Sequence, residues 1–327
     1  MYTLEDIARE LGVSKTTVSR ALSGKGRISK TTVERVRAFA REHDYRPNML
    51  AQGLAVNKTY NLALFIPMGT LSNDEYSFFK ECMVGINDVA ADAGYDILMS
   101  IERKGMPHLQ RLVSNRKADG IILSRTEMNS EEIQFLKKNR IPFVVIGPIN
   151  DDEIVSVDNP NEEACEELTE LFIMKGNRRL VLIGGNEKHY VNESRKTGFV
   201  KACRRNGIPA NDVKIHMGVD SLSKARQVTE QLPYTSIDGI LCMDEYICGM
   251  ILGSLREKRI KVPEQIKLAS MYDSRELEYN IPPVTAIRFR TKNLGRNVCV
   301  QMLKMLGEPV TEEYALGYQI ILRESTK

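Results

Sequence analysis

The sequence contains no uninterrupted run of about eighteen apolar residues, which excludes a transmembrane helix. It opens on a polar segment rather than the apolar stretch of a secretory leader, so export is not expected. Its six cysteines (Cys82, Cys165, Cys203, Cys242, Cys248 and Cys299) form no Cys-x-x-Cys pair, and several lie inside apolar runs such as Leu241-Cys242-Met243. That pattern supports neither a zinc site nor a disulfide framework, and it predicts buried free thiols in a reducing cytoplasm. The four histidines, His43, His108, His189 and His216, have no partner at metal-ligand or triad spacing. Gly-x-Ser-x-Gly, Walker, His-Glu-x-x-His and Gly-x-Gly-x-x-Gly patterns are all absent. Gly24-Lys25-Gly26 sits between helical segments and reads as a loop, not a phosphate cradle. No metal, no cofactor and no enzymatic activity are therefore expected.

What is present is ordinary globular material, 42% hydrophobic and 27% charged, in a chain of 327 residues that is too long for one core. The charge is unevenly spread. Residues 1–60 hold eleven Lys/Arg against six Asp/Glu, net +5, while the remainder holds 35 against 37, net −2. A basic head on a near-neutral body is an electrostatic footprint for phosphate.

The head has a local pattern to match. Thr3 can cap a helix whose Leu4, Ile7, Ala8 and Leu11 share one face, and Gly12 can supply the left-handed residue that ends it. Ser14 can cap a second helix over 15–22. Its Val18, Ala21 and Leu22 face inward, and Lys15, Thr16, Ser19 and Arg20 face outward. This is a helix-turn-helix with short polar and basic side chains sized for the major groove of double-stranded DNA. Arg20 is expected to read a guanine edge, with Thr17 and Ser19 as phosphate contacts or local backbone bonders. A third helix should start after Ser29 and end near His43, with Arg35, Arg37 and Arg41 on a solvated face.

Pro47 biases Arg46 away from helix and marks a boundary. Asn48 can cap a short helix over 48–56, but Leu50 and Leu54 give it too little apolar surface to stand alone, and Gly53 weakens it by about 1 kcal/mol. From Tyr60 the texture changes. Apolar runs at 61–67, 95–101, 120–124, 143–147, 180–184, 239–243, 266–271 and 285–287 read as strands, with helical patterns between them such as 78–93, 161–175 and 194–206. Alternating βα units predict doubly wound parallel sheets, and the repeat number suits two of them. Ligands in such folds bind beyond the carboxyl ends of the strands.

Val13-Ser-Lys-Thr-Thr-Val-Ser-Arg-Ala-Leu-Ser23, Tyr45-Arg-Pro-Asn48 and Ala51-Gln-Gly-Leu-Ala55 resemble the signature of the lactose-repressor/galactose-repressor family of bacterial transcription regulators. Ile321-Leu-Arg-Glu-Ser-Thr326 resembles that family's terminal strand, so the likeness spans nearly the whole chain. The resemblance implies a small all-α helix-turn-helix head plus an α/β body of two Rossmann-like subdomains, as in periplasmic binding proteins. The implied boundaries are 1–46 for the head and 47–59 for a hinge helix. The body, 60–327, divides into an N-subdomain of about 60–158 plus 290–319 and a C-subdomain of about 159–289 plus 320–327. It further implies a homodimer on a pseudo-palindromic operator, with Thr3, Ser14, Lys15, Thr16, Thr17, Ser19, Arg20, Asn48, Ala51 and Leu54 at the DNA. Leu54 would wedge into the minor groove. No heptad helix follows the terminal strand, so a dimer is expected rather than the tetramer of some relatives.

For the effector, Ser194-Arg195-Lys196-Thr197-Gly198-Phe199 resembles the family's R-x-x-G-F/W element, which puts Arg195 in an interdomain cleft. Met271-Tyr272-Asp273-Ser274 resembles its G-Y-D-D/N element, with Asp273 accepting hydrogen bonds from the ligand and available to pair with Arg195. Ser124 and Asp244 match pocket positions. Ser77-Phe78-Phe79 resembles a cleft loop in which Phe79 is either a pocket wall or plain core. Val157-Asp158-Asn159 resembles a crossover whose Asp158 is structural or functional. The sequence departs from the family where Met243 replaces the usual asparagine, and where Val219-Asp220 follows Gly218 in place of an aromatic. A small polar effector, a sugar or sugar derivative, is expected, and a plain monosaccharide is expected to bind less tightly than in sugar-specific relatives.

Overall fold

Three hydroxyl caps start the first three helices. The computed structural model describes residues 2–24, 26–45, 53, 57–67, 76–102, 106–124 and 130–327. Helix α1 (Leu4–Leu11) is capped by Thr3 in a reciprocal capping box with Asp6 and ends at Gly12 with φ 64°. Helix α2 (Lys15–Ser23) is capped by Ser14, and α3 (Lys30–Glu42) by Ser29. Ile7, Ala8, Val18, Ala21 and Val36 close a small core between them. Arg35 is not purely solvated. Its Nη2 donates to the Leu11 carbonyl (3.1 Å), satisfying an orphan acceptor at the end of α1.

The chain divides into two compact units, Met1–Thr59 and Tyr60–Lys327. The described residues of the second form two sheets. The first has strand order β2-β1-β3-β4-β5, built from β1 (Asn61–Pro67), β2 (Asp96–Glu102), β3 (Gly120–Leu123), β4 (Phe143–Ile146) and β5 (Ser156–Val157), all parallel. The second has order β11-β10-β9-β8-β6-β7, from β6 (Leu180–Ile183), β7 (Val213–His216), β8 (Gly239–Cys242), β9 (Lys267–Ser270), β10 (Thr285–Phe289) and β11 (Tyr318–Ile321). Strands β3, β4, β6 and β8 are buried at every residue, as expected for parallel strands covered on both faces. Among the described residues only β11 runs antiparallel, at one edge.

Helices α4 (Tyr76–Asp92), α5 (Pro107–Ser114) and α6 (Glu131–Lys138) connect the first sheet. Helices α7 (Asn161–Met174), α8 (Tyr190–Arg205), α9 (Leu222–Gln231), α10 (Glu245–Glu257) and the short α11 (Arg275–Glu278) serve the second. Helix α12 (Thr291–Met305) then returns to pack on α4 and on β3, β4 and β5. The chain therefore passes between the two layers after β5, after β10 and before β11. The last passage falls slightly earlier than the expected boundary at 320. Phe289 pairs with Tyr318 and Arg288 with Gln319, so both residues already belong to the second sheet. The expected terminal strand over 321–326 is likewise displaced. The strand ends at Ile321, and Glu324–Thr326 form a 3-10 turn with Ser325 and Thr326 buried.

All six cysteines are free and buried. No helix among the described residues is long and apolar enough to cross a membrane.

Two glycines bring α4 and α12 into backbone contact. A Cβ at Gly295 would lie 2.0 Å from the Cys82 carbonyl oxygen, and one at Gly85 would lie 2.1 Å from that of Lys292. Gly295→Ala is expected to lower stability by about 1–3 kcal/mol, the usual cost of overpacking. Gly249→Ala, in α10 with open space around it, is expected to act in the opposite direction through helix propensity alone. Urea midpoints of the two variants check the pair. Equal shifts of the same sign would rule out the close contact as the cause.

Candidate DNA-reading face and effector site

In the head, the Ser14 hydroxyl accepts from the Thr17 backbone N–H (3.1 Å) and lies 2.8 Å from Thr17 Oγ1. Thr17 thus meets the Ser14 hydroxyl through both its backbone N–H and its own hydroxyl. Thr3 is similarly engaged with Asp6, whose carboxyl is held below its usual range chiefly by the Thr3 hydroxyl. Lys15 Nζ lies 3.0 Å from Glu5 Oε1 with both side chains exposed, a pair worth at most about 1 kcal/mol and easily exchanged for a phosphate. Thr16 and Arg20 are exposed, and Ser19 is half-buried. The Arg20 stem runs along Gly26, where a Cβ would come within 3.1 Å of Arg20 Cδ. With φ 88°, Gly26 both turns the chain and leaves room for the arginine. Asn48, Ala51 and Leu54 lie outside the described residues, as does most of the segment 47–59 expected to form a hinge helix.

In the body, polar groups gather after the strands. Ser124 directly follows β3. Its hydroxyl is buried, 3% exposed, and has no hydrogen-bond partner among the described residues. Asn159 follows β5, and its buried Oδ1 is also unpartnered. Leaving such groups unmet is costly unless something else supplies the bond.

Arg195 sits on α8 next to the start of α7, and a glycine makes this possible. A Cβ at Gly198 would lie 2.2 Å from the Glu162 carbonyl oxygen, so the two helix backbones touch one turn away from the arginine. Arg195 Nε donates to Asn161 Oδ1 (3.1 Å) and Nη1 to the Met243 carbonyl (2.7 Å). Both acceptors are neutral, and Nη2 has no hydrogen-bond partner among the described residues. Asn161 is 4% exposed and passes the contact on. Its Nδ2 donates to Asp158 Oδ1 (3.0 Å) and to the Asn159 carbonyl (3.2 Å). Burial pushes the Asp158 carboxyl up to about 6, against the opposing pull of Asn161 and Arg195.

Other expected site residues are occupied differently. Asp273 does not pair with Arg195. Its carboxylate takes Arg323 on both oxygens (2.7 and 3.0 Å) and Arg288 Nε on Oδ2 (2.8 Å), because these cations sit on the terminal segment and on β10 beside it. Asp244 caps α10 by accepting from the Ile247 N–H (2.7 Å). Phe79 is 2% exposed and packs edge-on against Phe78 with ring centroids 5.1 Å apart. Phe78 is the ring that joins the two layers. It meets Tyr272 at 5.6 Å, and the Tyr272 hydroxyl lies 3.0 Å from Thr291 Oγ1 at the start of α12. In the two positions that depart from the family pattern, Met243 is fully buried under Gly184 and Asp220 is tied to Lys224.

Sequence reading missed Asn161, Phe78 and Arg323. Asn161 stands where polar residues usually only cap a helix. Arg323 carried a signal, as a lone cation in the apolar segment Ile320-Ile321-Leu322, which needs a buried carboxylate.

A helix-turn-helix head and a two-sheet α/β body with polar groups at the carboxyl ends of its strands define a DNA-binding transcription regulator with a periplasmic-binding-protein-like body. Residues 3–48 match the model of bacterial regulatory proteins, lacI family, and residues 169–326 match the periplasmic binding protein-like domain. The chain is thus similar to the lacI family in its head and to periplasmic binding proteins over most of its second half. It is 26% identical to the HTH-type transcriptional regulator MalR of Staphylococcus xylosus over 333 residues, covering 100% of this chain and 98% of that one. Among solved structures it is similar to a lac repressor dimer bound to operator and the anti-inducer ONPF (TM-score 0.77, 22% identity, 99% of each chain). It is also similar to a transcriptional regulator CelR–cellobiose complex (TM-score 0.72, 23% identity, 99% of this chain and 100% of that one).

Proposed function

We propose that the chain is a homodimeric, cytoplasmic repressor, not an enzyme, that binds a pseudo-palindromic operator and is controlled by a sugar or sugar derivative held between its two sheet layers. The observation that carries the effector reading is a set of half-satisfied polar groups just beyond the carboxyl ends of the strands and beside them on α8. Arg195 keeps Nη2 open while its other nitrogens rest on neutral acceptors, and the Ser124 hydroxyl and Asn159 Oδ1 are buried without partners. One donor, one acceptor and one group able to do either suit a polyol. The named cellobiose complex of a structural neighbour supports a disaccharide. Arg195 and Ser124 touch the effector in this reading. Phe79, Asp244 and Asp273 support the walls, since their side chains are buried or already bonded.

On DNA, α2 enters the major groove, and the segment 47–59 folds as a hinge helix beside its partner's, with Leu54 in the minor groove. Effector binding changes the spacing of the hinge starts and biases their folding, and DNA must bias effector affinity by the same factor. Selecting operators from a random duplex pool with the full chain, then titrating the complex with maltose, cellobiose and glucose, tests this. A shift in DNA affinity with a disaccharide is expected. No shift and no thermal stabilisation by any of them would overturn the carbohydrate reading.

Arg20→Ala is expected to cost about 1–3 kcal/mol of specific binding and to relax selectivity at one operator position. Competition among single-base operator variants checks it. Uniformly weakened binding with selectivity intact would reassign Arg20 to phosphate.

A further inference from the structure

Asp158 and Arg195 carry opposite charges in the same polar chain, yet they do not form an ion pair. Asn161 lies between them with both ends of its amide in use: Oδ1 accepts from Arg195 Nε at 3.1 Å, and Nδ2 donates to Asp158 Oδ1 at 3.0 Å. The amide is buried and held by a third bond, to the Asn159 carbonyl. A direct carboxylate–guanidinium contact would use two parallel hydrogen bonds and would consume the terminal nitrogens of the arginine. The amide instead presents one acceptor to Nε, the nitrogen nearest the stem, and leaves Nη2 open.

We infer that Asn161 is a positioning residue, a neutral spacer that keeps Arg195 from collapsing onto Asp158 and so holds the guanidinium open for the effector. The inference rests on the effector reading above. Its immediate consequence is visible without any effector. Asp158 is acted on by Arg195 from α8 and by Glu163 from α7, with Asn161 and the Asn159 backbone as its hydrogen-bond donors. If Asn161 were only a structural donor, removing it would leave Asp158 buried with one bond fewer, and its carboxyl would rise above about 6. If Asn161 is a spacer, removing it lets Arg195 close on Asp158, and the carboxyl falls. The two roles predict opposite signs.

The probe is the proton. Asp158 is titrated by carboxyl 13C NMR in the full chain, with Asp158→Asn to assign its resonance, in the unaltered protein and in Asn161→Ala. A fall into or below the ordinary carboxylate range supports the spacer, and a rise overturns it. Asn161→Ser, which keeps a short polar group at the helix start, should fall less and supplies the same sign should the alanine variant not fold. In operator release by whichever of maltose and cellobiose acts on the unaltered protein, Asn161→Ala should weaken the response about tenfold, the worth of one good hydrogen bond. Adding Asp158→Asn should restore much of it, because the competing carboxylate is gone. A rise in the Asp158 titration with a normal sugar response removes the spacer alone. A sugar response that survives Arg195→Ala removes the effector reading and leaves the titration result standing.

Discussion

Arg323→Ala is expected to destabilise the body by about 3–5 kcal/mol, the range for removing one partner of a buried ion pair. Arg323 is 8% exposed, and the Asp273 side chain is 3% exposed. The guanidinium bonds both carboxylate oxygens and the Val284 carbonyl, so its loss leaves three acceptor atoms each one donor short. The effect should spread to the chain terminus. The backbone N–H of Arg323 donates to Thr285 Oγ1, Ser325 Oγ donates to the Leu268 carbonyl, and Lys175 Nζ donates to the Thr326 carbonyl. Arg323 thus anchors a staple over the ends of β9 and β10. Urea unfolding followed by far-UV circular dichroism should show a large drop in midpoint. A change below about 1 kcal/mol would mean that Arg288, which also bonds Asp273 Oδ2, satisfies the carboxylate without Arg323. Asp273→Asn should mimic the loss in part, and any weakening of the effector response in that variant follows from instability rather than lost contact.

The case of Asp273 shows where sequence reading stops. The charge complementarity of Arg195 and Asp273 was visible, but a chain with 46 basic residues offers each carboxylate many partners. Which one wins depends on strand order. Strand β10 lies between β9 and β11, so the residues after β9 meet Arg288 and Arg323 rather than α8. Features written locally were legible. Thr3, Ser14, Ser29 and Gly12 announce the ends of the head helices through their own side chains or backbone freedom. Continuous apolar runs such as Leu180–Ile183 announce strands buried on both faces. Strand β5 is too short for a pattern, and Val213–His216 alternates apolar and polar residues at a half-exposed edge, so neither stood out. Asn161 was hidden for another reason. An asparagine at a helix start is ordinary, and its role depends on Gly198 letting α8 approach α7.

Arg195→Ala is expected to weaken the effector response about a hundredfold or more while leaving effector-free DNA binding within about twofold. Charge-assisted hydrogen bonds are worth about 1.5–3 kcal/mol each, and Nη2 together with the remaining Nη1 proton offers two to a polyol. Truncation also strands Asn161 Oδ1 and the Met243 carbonyl, but that cost falls on the free and bound protein alike and cancels from effector affinity. It should appear instead as a lower unfolding midpoint, which keeps the two consequences separable. DNA binding is insulated because the reading face lies in the unit Met1–Thr59 and Arg195 in the unit Tyr60–Lys327. Arg195→Lys sharpens the test. A lysine keeps the charge but has one nitrogen on a flexible stem, and it cannot hold Asn161 and Met243 while also meeting the effector. It should therefore recover stability better than response. Operator binding by fluorescence anisotropy, titrated with maltose and cellobiose for the three proteins side by side, measures both quantities. Arg195→Ala responding as the unaltered chain does would place the effector away from α8, and the unpartnered Ser124 and Asn159 atoms would then need another occupant.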